Sequence, residues 1–140
     1  MADTTRLERA AEEFNQHDEA YFDLYTDDVA FHGLPGTQGT LDKQGVIEFY
    51  RAFWSACPDA TVEPVDMFDA GDRVAVRLRV KGTHRGELMG LPASGNEFDF
   101  EEITIFKLDN EGRCTERWAR LDEISFLQQI GAMPVPEASA

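Results

Sequence analysis

Hydrophobic residues recur at every second position through most of the chain beyond Pro58, a pattern that predicts β-strands. The clearest run, residues 73–81, alternates valine and leucine with arginine, alanine and lysine. Similar runs predict strands at residues 61–68, 97–108 and 116–122. Because Pro64 lacks a backbone N–H group, the first of these strands is expected at the edge of a sheet.

Hydrophobic residues in the N-terminal half instead recur every three or four positions, which is typical of amphipathic helices. The first helix is expected to begin with a capping box formed by Thr5 and Glu8. The other elements predicted in this half are a short helix at residues 18–25, a strand at residues 29–32 and a helix at residues 42–57.

This order of elements, helices first and strands afterwards, predicts an α+β fold. The helices are expected to pack over the concave face of a curved antiparallel sheet and to enclose a hollow in which a ligand binds. The chain of 140 residues is long enough for one domain, residues 1–132, followed by a frayed tail of small residues at 133–140.

The charge of the chain narrows the choice of partners. Thirteen basic and 27 acidic residues give a net charge of −14, which repels nucleic acids and anionic membrane surfaces. No apolar run approaches the roughly 20 residues of a membrane span, and residues 1–5 do not resemble a secretory signal. The sequence therefore predicts a cytoplasmic protein whose partner is neither a nucleic acid nor a membrane.

The sequence also lacks the common signatures of metal and cofactor sites. Cys57 and Cys114 lie far apart without a CxxC motif, which favours two reduced, buried thiols. The three histidines form no HxH or HExxH motif, and no glycine-rich phosphate loop is present. We therefore expect neither a metal ion nor a cofactor.

Strand alternation predicts which polar side chains face the hollow. On the two long strands the apolar residues mark the inner face, and His84 and Glu102 fall on the same side. On the last strand Trp118, Arg120 and Asp122 share one face. Such a row suits a pocket wall better than a sealed apolar core. One β-bulge would reverse this assignment.

Several separate segments resemble, in the same order, the SnoaL-like polyketide cyclases of the nuclear-transport-factor-two-like superfamily. The resemblance spans residues 6–131, nearly the whole chain. It is carried by residues 14–18, 25–32, 82–86, 90–95, 116–118 and 128–131, together with Asp122.

The resemblance implies a cone-shaped fold with a deep pocket, often dimeric through the outer face of its sheet. Aromatic polyketide cyclases of this family carry out an intramolecular aldol closure without metal or cofactor. Their acid/base aspartate corresponds to Asp122 and their pocket histidine to His32. The chain departs from the family pattern in one functional respect, because Glu102 and Thr104 replace a second histidine.

Each candidate polar residue has a structural alternative. Asp122 is either an acid/base group or the N-cap of the helix that follows it. His32 either orients a ligand oxygen or forms a hydrogen bond at a strand end. An inward Glu102 needs a partner, which is either Arg120 in an ion pair or Asp122 in a catalytic carboxyl pair. A larger set is expected to hold the substrate: Trp118, His84, Glu102, Arg120, Met89, Leu91, Phe53 and Tyr21.

Three functions remain open from the sequence. The first is a cofactor-independent cyclase acting on a hydrophobic, oxygenated small molecule such as a polyketide. The second is proton transfer of the ketosteroid isomerase type, an established case of two carboxyl groups with different roles. The third is a non-catalytic protein of the same fold that binds a small molecule.

Overall fold

A computed structural model describes residues 4–37 and 39–136, so residues 137–140 of the predicted tail lie outside it. The described chain contains three α-helices, one 3-10 helix and six β-strands. In chain order these elements are α1 (Thr5–Asn15), the 3-10 helix (Glu19–Leu24), β1 (Tyr25–His32), β2 (Thr40–Leu41), α2 (Lys43–Ala56), β3 (Thr61–Ala70), β4 (Arg73–Thr83), β5 (Glu97–Leu108), β6 (Cys114–Leu121) and α3 (Glu123–Gln129).

The six strands form one curved sheet in the order β2-β1-β6-β5-β4-β3. The predicted α+β class is confirmed, and β3 lies at an edge as Pro64 indicated. The sheet is mixed rather than purely antiparallel, because β1 pairs in parallel with β6. This parallel pair joins β1 of the N-terminal half to the C-terminal strand β6.

Helices α1 and α2 cover the concave face of the sheet. Leu7 and Phe14 of α1, and Tyr50 and Phe53 of α2, are buried against it. Helix α1 begins one residue earlier than its predicted first turn, with Thr4 as N-cap and no side-chain cap hydrogen bond. The predicted capping box is therefore wrong, although the amphipathic helix behind it is confirmed.

A β-bulge at the start of β6 sets which of its side chains face the core. Leu108 of β5 pairs with Cys114, whereas the preceding Lys107 pairs with Glu116, so Thr115 is an extra residue. Before the bulge an even-numbered residue, Cys114, is fully buried, and beyond it the odd-numbered Ala119 is fully buried. The bulge thus reverses the alternation along the strand.

This reversal overturns one prediction from the sequence. Residues 117, 119 and 121 of β6 face inward, while Trp118 and Arg120 lie on the outer face. The register agrees, because Trp118 pairs with the half-exposed Ile105 and Ala119 with the buried Thr104. The prediction that Trp118, Arg120 and Asp122 line the hollow is therefore wrong.

The outer face of the sheet combines ion pairs with exposed apolar side chains. Arg79 pairs with Asp99 at 2.6 Å and Arg77 with Glu101 at 2.5 Å. Ile103 on the same face is 59% exposed. Within the described ranges, no helix is both long and apolar enough to cross a membrane.

Candidate functional site

A cavity lies between the concave face of the sheet and the helices. The empty space in and around it, which includes open solvent at the mouth, is about 890 Å³. Residues of α1, the 3-10 helix, α2 and α3, of strands β3 to β6 and of two loops line it, and most of them are aliphatic or aromatic. Among the described lining residues, four have polar side chains: Tyr21, Tyr50, Glu102 and Arg117.

The two charged residues of the cavity form an ion pair. Nη2 of Arg117 donates to Oε2 of Glu102 at 2.7 Å, and both side chains are more than nine-tenths buried. Oε1 of Glu102 has no hydrogen-bonding partner among residues 4–37 and 39–136. One carboxylate oxygen is therefore free to contact a ligand in the cavity.

Arg117 also holds the hydroxyl groups of two tyrosines. Its Nη1 donates to Tyr25 at 2.6 Å and to Tyr21 at 3.3 Å. The two hydroxyl oxygens lie 2.5 Å apart, and the ring of Tyr50 packs edge-on against that of Tyr21, with 5.5 Å between the ring centroids. All three tyrosines of the chain thus form one cluster, in which two hydroxyl groups accept from the same guanidinium group and the third ring packs on Tyr21.

Neighbouring residues of β5 and β6 fix the position of Arg117. Its Nε donates to Oγ1 of Thr104 at 2.8 Å, and Thr104 in turn donates to the carbonyl oxygen of Trp118 at 3.1 Å. Its guanidinium carbon lies over the rings of Phe31 and Phe106, 4.6 Å and 4.4 Å from their centroids. Arg117 lies opposite Phe106, so its side chain extends along the sheet to reach Glu102, which lies opposite Leu121.

The protonation states of these groups follow from burial. Burial raises the pKa of Tyr21, Tyr25 and Tyr50, although the charge of Arg117 acts in the opposite direction. Burial alone would lower the pKa of Arg117, but the surrounding tyrosine and glutamate oxygens hold it well above its ordinary value. At neutral pH the three hydroxyl groups are therefore hydrogen-bond donors and the arginine is a cation.

Four predicted site residues line the cavity: Glu102, Tyr21, Phe53 and Met89. Two others lie near it. Leu91 pairs through its backbone with the lining residue Leu88, and His84 is buried beside the same loop, with Nδ1 2.9 Å from Oγ of Ser94. Neither Leu91 nor His84 belongs to the described wall of the cavity.

The two predicted catalytic residues lie outside the cavity. Asp122 is exposed and accepts a hydrogen bond from the backbone N–H of Ser125 at 3.1 Å, so it is the N-cap of α3. His32 stacks on Trp118 on the outer face and pairs with Glu116 at 2.8 Å. The structural alternatives considered for Asp122 and His32 therefore describe their positions.

Arg120 and Trp118 have structural contacts on the outer side as well. Nη1 of Arg120 donates to the carbonyl oxygen of Ala119 at 2.8 Å. The guanidinium of Arg73 lies over the indole of Trp118, 5.4 Å from the ring centroid. The expected pairing of Glu102 with Arg120 or with Asp122 is wrong, because its partner is Arg117.

Arg117, Tyr25 and Tyr50 are site residues that the sequence pattern does not predict. Uninterrupted alternation predicts Arg117 on the face opposite Trp118, and the bulge at Thr115 that reverses this leaves no clear signal in the sequence. One available signal was that an inward Glu102 needs a cation, and β6 offers only Arg117 and Arg120. Tyr25 and Tyr50 matched inward apolar positions and were indistinguishable from ordinary core residues.

Within the described part of the chain, no group of three or more histidine, cysteine, aspartate or glutamate residues could hold a metal ion. Cys57 and Cys114 are free and buried, as expected. Burial raises the pKa of each thiol to about 12.

Comparison with protein families gives one match over most of the chain. A family model described as SnoaL-like polyketide cyclase matches residues 5–130. Aklanonic acid methyl ester cyclase DnrD of Streptomyces peucetius is 30% identical over 131 residues, covering 85% of this chain and 89% of the relative. Aklanonic acid methyl ester cyclase DauD of Streptomyces sp. strain C5 is also 30% identical, covering 85% of this chain and 80% of the relative.

Solved structures with the same fold have differing descriptions. IdmH of Streptomyces antibioticus, a putative polyketide cyclase, superposes with a TM-score of 0.79 at 26% identity, covering 91% of this chain and 97% of its own. AclR of Streptomyces galilaeus, a putative hydroxylase, superposes with a TM-score of 0.82 at 20% identity, covering 94% and 96%. The second likeness concerns the fold alone.

Proposed function

Because the chain belongs to the SnoaL-like polyketide cyclase family, we propose that it closes a ring in a hydrophobic, oxygenated polyketide-type molecule by acid/base catalysis without a cofactor. One observation carries the proposal: an apolar cavity contains a buried Glu102–Arg117 pair with a free carboxylate oxygen. An aldol closure needs a base, a group that stabilises an enolate, and a proton donor. Glu102, Arg117 and the tyrosine hydroxyl groups can fill these roles.

The proposed reaction proceeds in three steps. Oε1 of Glu102 removes a proton from a carbon beside a carbonyl group, and the electron pair moves to the carbonyl oxygen. The enolate carbon then attacks a second carbonyl carbon of the same molecule, which forms the new C–C bond. The resulting alkoxide takes the proton back from Glu102, so the closed product is an isomer of the substrate.

Arg117 supports this cycle without exchanging a proton. Its positive charge lies beside Glu102 before proton transfer and remains beside the developing enolate afterwards. The aromatic and aliphatic walls, which include Phe53, Phe100 and Phe106, exclude water and hold the two reacting parts together. Met89 and Tyr21, both predicted to hold the substrate, lie in the same wall.

In the proposed reaction Glu102 has the acid/base role that the family resemblance implied for Asp122. An isomerase that uses a Glu102–Asp122 pair is not supported, because Asp122 lies outside the cavity as the N-cap of α3. The proposed ring closure requires a single carboxyl group, since the proton that it removes is the one that it returns.

Binding without turnover is the second candidate. It is favoured by the hydrogen bond between Glu102 and Arg117, because that bond already occupies one of the two carboxylate oxygens. The engagement of Asp122 as a helix cap also favours it, since no second carboxyl group reaches the cavity wall in the described residues.

We also propose a homodimer formed through the outer face of the sheet. Phe68, Ala75, Ile105 and Trp118 lie side by side across β3, β4, β5 and β6. Phe68 is 65% exposed and Ile105 39% exposed, so the row offers apolar area for burial in a second copy. A monomer at micromolar concentration in sedimentation equilibrium would contradict this part of the proposal. Location in the cytoplasm stays a prediction.

The enzyme and the binding protein can be separated by one assay. Aklanonic acid methyl ester, the substrate in the name of two relatives, is the first probe. Ring closure is followed by chromatography and NMR, and binding by quenching of tryptophan fluorescence. We expect closure by the wild type and at least a hundredfold loss in Glu102→Gln, within the range for general acid–base catalysis.

The matched control is Glu101→Gln. Glu101 precedes Glu102 in the chain but pairs with Arg77 on the outer face, so its replacement should leave closure unchanged. Binding without closure would reject the enzyme and support the second candidate. Absence of binding to this ester and to shorter aromatic diketone esters would reject both candidates.

A further inference from the structure

The three tyrosine hydroxyl groups at the base of the cavity can donate more hydrogen bonds than acceptors in the protein receive. Tyr25 is fully buried and outside the cavity wall, whereas Tyr21 and Tyr50 line the cavity. Both Tyr21 and Tyr25 accept a hydrogen from Nη1 of Arg117. Each hydroxyl still has one hydrogen of its own to donate.

Accounting for these hydrogens gives the chain of hydroxyl groups a direction. If Tyr21 donated to Tyr25, the hydrogen of Tyr25 would be left in a sealed position without an acceptor, which is costly. Donation from Tyr25 to Tyr21 avoids this cost. The remaining hydrogens then belong to Tyr21 and Tyr50, at the cavity wall, where a ligand oxygen can accept them.

The charges of the site favour an oxygen that becomes negative only when a proton has moved. Arg117 and Glu102 neutralise each other, so a ligand that arrives as an anion would add an uncompensated charge to a buried site. If the ligand instead gives its proton to Glu102, the negative charge moves from the carboxylate to the ligand. The total charge around Arg117 then stays the same.

We propose that the Tyr21 and Tyr50 hydroxyl groups, backed by Arg117, form a subsite for an oxygen anion, and that the cavity binds acidic phenols and enols by moving their proton to Glu102. The ligand O–H bond breaks, Oε1 of Glu102 gains the proton, and the electron pair stays on the ligand oxygen. The ligand class is a planar, hydrophobic molecule with an acidic phenol or an enolisable diketone. The inference rests on the proposed function only in that Glu102 is the proton acceptor in both.

The experiment uses a series of naphthols whose acidity is raised stepwise by cyano or nitro groups. Naphthol and naphtholate have different absorption spectra, so the ionisation of the bound probe is read directly. At a pH where the free probe is neutral, we expect the spectrum of the naphtholate on binding. We also expect the affinity to rise with the acidity of the probe.

Three variants assign the effect to residues. Tyr21→Phe and Tyr50→Phe keep the ring but remove a donor, and each should weaken binding of the ionised probe about tenfold or more. Tyr25→Phe is the matched control, because Tyr25 does not reach the cavity, and it should weaken binding less. In Glu102→Gln the bound probe should stay neutral. Thermal unfolding checks that each variant is folded.

The outcomes separate this inference from the proposed function. A neutral bound probe in the wild type, or unchanged naphtholate binding in both Tyr21→Phe and Tyr50→Phe, would overturn the subsite, even if ring closure occurs. An ionised bound probe without ring closure of any ester would support the subsite while rejecting the enzyme. Because Tyr→Phe preserves shape, a purely structural role of the tyrosines would not change the ionisation of the probe.

Discussion

At the scale of single residues, Glu102 and Arg117 determine both the chemistry and part of the stability of the cavity. Both side chains are nearly inaccessible to water and are joined at 2.7 Å. A buried pair of this kind adds little net stability compared with two apolar residues, but loss of one member leaves a charge unpaired. The fold therefore does not depend on the pair for its stability, provided that both members are replaced together.

Replacing one or both members tests this directly. Arg117→Met should lower the free energy of unfolding by about 3–5 kcal/mol, because Glu102 is left buried without its cation. The double variant Glu102→Met, Arg117→Met should recover most of that loss. Urea unfolding measures both. A double variant no more stable than Arg117→Met would show that the pair itself holds the fold together.

Asp122 is the residue for which a structural role replaces a catalytic one. Its side chain satisfies a backbone N–H group in the first turn of α3. Asp122→Ala should therefore lower the free energy of unfolding by about 1 kcal/mol, whereas Asp122→Asn, which can still cap, should cost much less. Equal stability of the two variants in thermal unfolding would contradict the cap.

The buried cysteines predict a loss of stability at alkaline pH. Burial raises the pKa of Cys57 and Cys114 from 9.0 to about 12. Above pH 9 the thiols of the unfolded chain lose protons that the folded chain retains, so stability falls as pH rises towards 12. Between pH 9 and 10 we expect a loss of about 1 kcal/mol per thiol. The free energy of unfolding of Cys57→Ala, measured with denaturant at several pH values, should fall less steeply with pH in this range than that of the wild type. An equally steep fall would contradict the raised pKa of the Cys57 thiol.

At the scale of elements, the strands were predictable wherever alternation was uninterrupted. β5 has the predicted bounds, and β4 has its predicted inner face, because buried side chains recur at every second position along most of both strands. β6 was assigned to the wrong face because one extra residue at Thr115 reverses the order of inner and outer positions. Bulges depend on the backbone of the neighbouring strand, which a single sequence does not reveal.

Gly33 follows β1 directly and lies close to β6, the parallel neighbour of β1. Gly33 has a φ of +95°, and a Cβ atom there would lie 2.1 Å from the carbonyl oxygen of Ala119 in β6. Gly71, in the turn between β3 and β4, has a similar φ of +86° but no atom within 4 Å of such a Cβ. The two glycines therefore share backbone strain and differ in the space around them.

Alanine at these two positions should have different effects. Gly71→Ala should cost about 1 kcal/mol of stability through backbone strain alone. Gly33→Ala should cost at least about 2 kcal/mol more, because β1 and β6 must separate to admit the methyl group. Urea unfolding of both variants compares them. Equal costs would mean that the contact between Gly33 and β6 is loose.

At the scale of the whole molecule, the sequence predicted the architecture better than the site. The α+β fold and a ligand cavity beneath the helices were predictable, because periodicity and the order of elements reflect burial over many residues. Residues on α2 and the 3-10 helix were placed inward for the same reason. The site depends on which face of β6 points into the cavity. Because of one extra residue in that strand, Arg117 lines the cavity, whereas alternation predicted Trp118 there.

The most direct test compares two carboxyl groups in the ring-closure assay proposed above. Asp122→Asn removes the carboxylate at the N-cap but keeps the cap, and Glu102→Gln removes the carboxylate in the cavity. We expect Asp122→Asn to retain closure within about threefold of the wild type and Glu102→Gln to lose at least about a hundredfold. Loss of closure in Asp122→Asn, with closure retained in a folded Glu102→Gln, would contradict the assignment of the cavity pair as the working site.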